Sequence, residues 1–139
     1  MAGSVGIGVR QSEPPTLVTG GNGHNRPVND DATIESVRDR LRDFAVARDW
    51  GQFHKPKNLA MALAGEVGEL LAEMQWLTDD QVHERLADPD TRGAVEEEFA
   101  DVFLYLVQLA DVCGVDLIRA AHAKITRNDG RFPPLEASS

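Results

Sequence analysis

Glu66 and Glu69, and further along Glu98 and Asp101, are pairs of carboxylates three residues apart. On an α-helix that spacing sets both acids of a pair on one face, one turn from each other. Each pair also borders an apolar stripe. With each residue advancing about 100°, Leu59, Leu63, Leu70 and Leu77 fall within about 40° of one another, with Glu66 and Glu73 beside them. Val95, Phe99, Val102 and Leu106 form the second stripe, with Glu98 on its edge and Asp101 about 60° further round. If the stripes pack together, the four acids converge. Partly desolvated carboxylates in a cluster repel, and must protonate or recruit a cation. All-oxygen ligation suits Mg²⁺ or Mn²⁺ better than zinc, which usually takes His or Cys. A di-iron site would want Glu-x-x-His on two helices, and neither His83 nor His122 follows a Glu at that spacing. The plainer alternative is a solvated helix flank, and with Glu96, Glu97 and Glu98 in a row some of these acids must be only that.

The elements that must hold these acids are helical. Ile34, Val37, Leu41 and Phe44 recur at helical spacing and predict a helix from about Thr33 to Asp49. Pro56 suits the first turn of a second helix that Leu59, Leu63, Val67, Leu70, Met74 and Leu77 carry onward. Thr78 with Gln81 reads as a capping box for a short helix to about Ala87, which Pro89 closes. A fourth helix is expected from about Thr91 to Cys113, with Gly114 as a left-handed cap. Asp116 would cap a fifth, which frays near Gly130 before Pro133 and Pro134. No segment alternates with period two for long enough to be a strand. The fold class is therefore all-α, a bundle of four to five helices.

Residues 1–30 are rich in Gly and Pro, with apolar residues too scattered to form a face, and are expected to be a flexible arm. Its Gly clusters follow no strand and precede no Gly-Lys-Ser/Thr, so they do not read as a phosphate loop. The domain proper is expected over 31–133, with a tail at 134–139. A net charge of −9 argues against binding nucleic acid polymers or acidic membranes, which need basic patches. A phosphate substrate would need a bridging cation. The single Cys113 excludes an intramolecular disulfide and a multi-cysteine zinc site; late on an apolar stripe, it is expected to be core packing. With no apolar run long enough to span a bilayer and no basic-then-apolar leader, the expected location is the cytoplasm.

Glu66-Val67-Gly68-Glu69 followed by Glu98-Phe99-Ala100-Asp101 resembles the E-x-x-E…E-x-x-D signature of the all-α nucleoside triphosphate pyrophosphohydrolases, the MazG-like superfamily, and within it the dCTP pyrophosphatases. Further matching segments are Arg48-Asp49-Trp50, Gln52-Phe53-His54, Pro56 with Asn58-Leu59, Gln75-Trp76, Tyr105-Leu106-Val107 and Val115-Asp116-Leu117. Lys124, Asn128, Arg131 and Pro133 complete the likeness, which covers roughly residues 33–133.

The resemblance implies Mg²⁺-dependent cleavage of a nucleoside triphosphate between the α and β phosphates, giving a monophosphate and pyrophosphate. By position it makes Glu66, Glu69, Glu98 and Asp101 metal ligands and catalytic acids. It assigns Trp50, Phe53, His54, Trp76 and Tyr105 to the base pocket. Lys57, Lys124 and Arg131 are candidates for the phosphate tail, and Asn128 matches a position near the site. Two departures bear on the preferred base: Asp129 and Gly130 stand where relatives tend to be basic, and Leu41 stands nearest to a His that some dCTP pyrophosphatases use. The favoured substrate is dCTP or a 5-modified dCTP, in sanitation of the nucleotide pool. dUTP or another noncanonical nucleotide is the alternative on the same fold. A different class of reading is a non-catalytic helical interaction module with a solvated acidic face. The family's usual assembly implies a homodimer or homotetramer.

Overall fold

The computed structural model describes residues 33–135, so the expected arm over 1–30 and most of the expected tail lie outside the described residues. Helix α1 (Ile34–Val46) begins at Thr33, whose side chain accepts from the Ser36 backbone N–H at 3.0 Å in a capping box. It ends three residues short of the expected Asp49. There Asp49 takes a left-handed backbone with φ 52°, and the chain tightens into a single 3₁₀ turn at Trp50–Gln52. The Gln52 amide holds that turn by donating to the Asp49 carbonyl at 3.2 Å. An L residue with a branched Cβ is strained in this region. Asp49→Val is expected to lower stability by about 1–2 kcal/mol in urea titration, while Asp49→Gly stays near wild type.

Helix α2 (Pro56–Ala72) starts with proline at its first position and stops well before the expected Leu77. The cause is the next cap. Thr78 must be extended, at ψ 164°, to accept from the Gln81 N–H and open α3 (Asp79–Ala87), so residues 73–77 are used to reverse the chain. Helix α4 (Pro89–Val112) begins earlier than Thr91, and Pro89 is its first residue rather than only the stop of α3. Asp88 serves both helices, ending α3 and accepting the Asp90 N–H at 2.9 Å. At the other end Gly114, at φ 67°, lets the Val115 N–H reach the Ala110 carbonyl at 2.8 Å, a Schellman closure. Helix α5 (Leu117–Arg131) is capped by Asp116 as expected and continues through Gly130 without fraying.

Helix α4 is the centre of the molecule: α2 pairs with it along most of its length, and α1 and α3 pack against it. α5 packs extensively against none of them. The described core is small, consisting of Leu59 from α2 and Val95, Val107 and Ala110 from α4. Two members of the expected α4 stripe depart from it, since Phe99 is 54% and Leu106 39% exposed. Cys113 is likewise exposed rather than packed. The neighbouring helices leave part of the wide apolar sector of α4 uncovered, and Ile118 and Ile125 on α5 are also about half exposed. Among the described residues, no helix is long and apolar enough to cross a membrane.

Candidate metal and nucleotide site

The pairing of α2 with α4 does what the two carboxylate spacings require. Glu66, Glu69 and Glu98 each present an oxygen, and these oxygens lie within 4.8 Å of one another. Asp101, one turn beyond Glu98, stands outside this tight trio but within electrostatic reach of Glu66 and Glu98. Glu98 Oε2 is buried and has no hydrogen-bond partner among the described residues. A desolvated carboxylate oxygen without a donor is costly, and a bound cation is the partner that a ring of acids would accept. The donor set, all oxygen and all anionic, fits a hard divalent ion.

The electrostatics agree with the geometry. Burial, then Asp101, Glu69 and Glu98, hold the Glu66 carboxyl above the ordinary carboxylate range. Burial and four nearby acids, Glu69 and Asp101 foremost, do the same to Glu98. Asp101 is raised by burial and by Glu69 and Glu97. Tyr105, one turn further along α4, is pushed up by burial and by the charges of Glu66 and Asp101. Glu73 adds to the field at Glu98 but is not one of the converging trio. It lies past the end of α2 and pairs with Arg85 of α3, which neutralises it locally.

The other expected site residues divide into two groups. Trp50 stands edge-on to His54 with ring centroids 6.1 Å apart, and to Phe44 at 5.5 Å. Arg48 lies over the Phe44 ring at 3.4 Å, completing an aromatic corner at the end of α1. Phe53 is exposed, and its carbonyl accepts from the Asn58 amide at 3.2 Å, which ties the corner to α2. Trp76, in the turn after α2, is 86% exposed and stacks on no ring among the described residues. Lys57 is exposed in the first turn of α2. Lys124, Asn128 and Arg131 lie on α5, and this chain's own packing does not bring them to the acids. Arg131 instead lies over Phe132 at 5.1 Å.

One feature went unseen in the sequence. Between α1 and α4 is a cavity of about 220 Å³, largely apolar, with Leu41, Ala45, His54, Gln108 and Val112 in its wall. Arg42 and Asp111 close one side through a two-pronged ion pair, Nε to Oδ2 at 2.7 Å and Nη2 to Oδ1 at 2.5 Å. The Arg42 guanidinium holds the Asp111 carboxyl below its ordinary value. These two residues are far apart in the chain and make no local pattern, so only the α1 to α4 contact reveals them.

Comparison with known proteins gives a consistent result. A family model described as the MazG-like family matches residues 62–138. dCTP pyrophosphatase 1 of Rattus norvegicus is 46% identical over 101 residues, which is 73% of this chain and 59% of that protein. The Homo sapiens dCTP pyrophosphatase 1 is also 46% identical over 101 residues, at the same coverage. The chain thus spans about three fifths of the length of these curated relatives. A crystal structure of a pyrophosphatase from Archaeoglobus fulgidus DSM 4304 superposes with a TM-score of 0.68 at 40% identity, covering 73% of this chain and 93% of that one.

Proposed function

Because this chain belongs to the MazG-like family, we propose that it is a nucleoside triphosphate pyrophosphohydrolase acting on dCTP or a 5-modified dCTP and releasing the monophosphate and pyrophosphate. The observation that carries this reading is the trio of convergent carboxylates, with one buried oxygen that has no partner among the described residues. Glu66, Glu69 and Glu98 would hold Mg²⁺, with Asp101 at the rim. Bound there, the ion would screen the triphosphate from the acids and lower the pKa of a coordinated water. Asp101, outside the trio, would remain the acid free to accept a proton from that water. Tyr105, within electrostatic reach of Glu66 and Asp101, can orient a phosphate oxygen by donating its phenolic hydrogen.

On the nucleoside side, Trp50 and Trp76 offer flat faces, with His54 as a polar neighbour. The exposure of Phe99, Phe103, Ile118 and Ile125 supports self-association into a homodimer or homotetramer, which would cover apolar surface that one chain leaves in water. In such an assembly Lys124, Asn128 and Arg131 of one copy could meet the phosphate tail held by another.

The test is pyrophosphate release from a panel of nucleotides with and without Mg²⁺. Turnover confined to Mg²⁺ and highest on dCTP or 5-methyl-dCTP is expected, and no turnover on any nucleotide would favour a helical interaction module instead. On the preferred substrate, Trp76→Ala is expected to raise KM about 10-fold, the loss of one stacked base. An unchanged KM would remove Trp76 from the site.

A further inference from the structure

The wall of the α1 to α4 cavity carries Gln108, a polar residue outside the segments that match the family signature. Its amide has no hydrogen-bond partner among the described residues although the residue is half-buried, and Leu41, Ala45 and Val112 share the cavity wall with it. The other polar groups of the wall are largely engaged: Arg42 with Asp111, and Arg38 with Asp39. The His54 ring, also on the wall and edge-on to Trp50, makes no side-chain hydrogen bond among the described residues. Two polar groups without hydrogen-bond partners among the described residues, set beside hydrocarbon from Leu41, Ala45, Val46 and Val112, are what a ligand pocket needs to fix one orientation.

Gln108 is also at the right distance. It follows Asp101 by seven residues on the uninterrupted α4, which puts it about 10 Å along the axis and within about 20° of the same face. Tyr105 lies between them. That span is about the reach of a nucleotide from its α-phosphate to its base. At about 220 Å³ the cavity is smaller than sites that enclose whole ligands, and it has room for one ring system rather than a nucleotide.

We infer that the cavity between α1 and α4 receives the base of the nucleotide, and that Gln108 reads the base's hydrogen-bonding edge, with His54 beside it. This rests on the pyrophosphohydrolase reading, and adds to it a specificity-determining residue. A carboxamide presents a donor and an acceptor side by side, and the 4-amino group and N3 of cytosine present the complementary pair. Leu41, on the same wall, brings only hydrocarbon, so base selection falls to Gln108 and His54.

The experiment compares wild type, Gln108→Leu and Gln108→Met on dCTP and on its analogue lacking the 4-amino group, 2-pyrimidinone deoxyribonucleoside triphosphate. Wild type is expected to favour dCTP by about 10-fold or more in kcat/KM, because the analogue leaves the Gln108 amide oxygen without a donor. Either variant should bring that ratio to within twofold of unity, chiefly by raising KM for dCTP. Active variants that keep the wild-type ratio would overturn the inference. Calorimetric titration with dCMP, which needs no turnover, separates the two claims. About 10-fold weaker binding to the variants supports Gln108 as a reader even if hydrolysis is absent, whereas equal binding refutes it. Circular dichroism identifies a variant that has lost its fold, and the other variant then decides.

Discussion

Glu66→Gln is expected to lower pyrophosphate release at saturating nucleotide by about 100-fold or more, and at the same time to raise the melting temperature of the metal-free protein. The two effects have one cause. Glu66 sits among Glu69, Glu98 and Asp101, partly out of water, and its carboxyl is held above the ordinary range by burial first and those neighbours second. A negative charge kept there works against the fold and is useful only to a cation. The amide keeps the shape and removes the charge, so repulsion falls while the metal loses a ligand. Reduced activity with reduced stability would point to simple misfolding. Unchanged activity would remove Glu66 from the site.

Chelation by EDTA is expected to abolish turnover, and Mg²⁺ added back at pH 7.5 to raise the melting temperature. At a hundredfold excess over its dissociation constant, a ligand that binds only the folded state adds about 2.7 kcal/mol, a shift on the order of 10 °C for a domain of this size. The pH dependence carries a sign. Glu66, Glu98 and Asp101 have folded pKa values above their unfolded ones, so their protonated forms favour the fold. That contribution is complete below the ordinary carboxylate range and is lost as pH rises through the raised values. Without metal, the cluster therefore makes the protein more stable in mild acid than at neutral pH, and Mg²⁺ stabilises least where protons already occupy the site. Asp111 works in the opposite sense. Its pKa is lowered by Arg42, so its contribution is present above the ordinary aspartate value and disappears as pH falls further. Calorimetric scans of the metal-free protein and of Asp111→Asn from pH 4 to pH 8 distinguish the two. An Mg²⁺ shift as large at pH 5 as at pH 7.5 would contradict the cluster as the ion's site.

The parts of this structure that were legible in the sequence are those set by local chemistry. Thr78 with Gln81, Asp116, and Gly114 at positive φ each perform the cap their residue types suggest. Glu66, Glu69 and Glu98 meet because i,i+3 spacing is itself a statement about a helix face, whereas Asp101, one turn further along α4, stays outside their trio. Pro89 misled because proline both follows one helix and opens the next, and only Asp88 as a shared cap distinguishes the two roles. Phe99, Leu106 and Cys113 were expected inside because periodicity reports which face is apolar, not whether this chain has another helix to cover it. Gln108 lay in an apolar run with no motif around it, and Leu41 and His54, which share the cavity wall with it, come from other elements.

Helix α4 runs from Pro89 to Val112 with proline only at its first position. Glu98 and Asp101 are near its middle, and Gln108, Asp111 and Val112 are near its end. A continuous helix is a rigid ruler, so the separation between the anionic end and the cavity is fixed by residue count and cannot be adjusted by a loop. Selection by such a gauge acts on substrate length as well as on chemical identity: a molecule whose ring and phosphates stand too near or too far apart fails at one end whenever it fits the other.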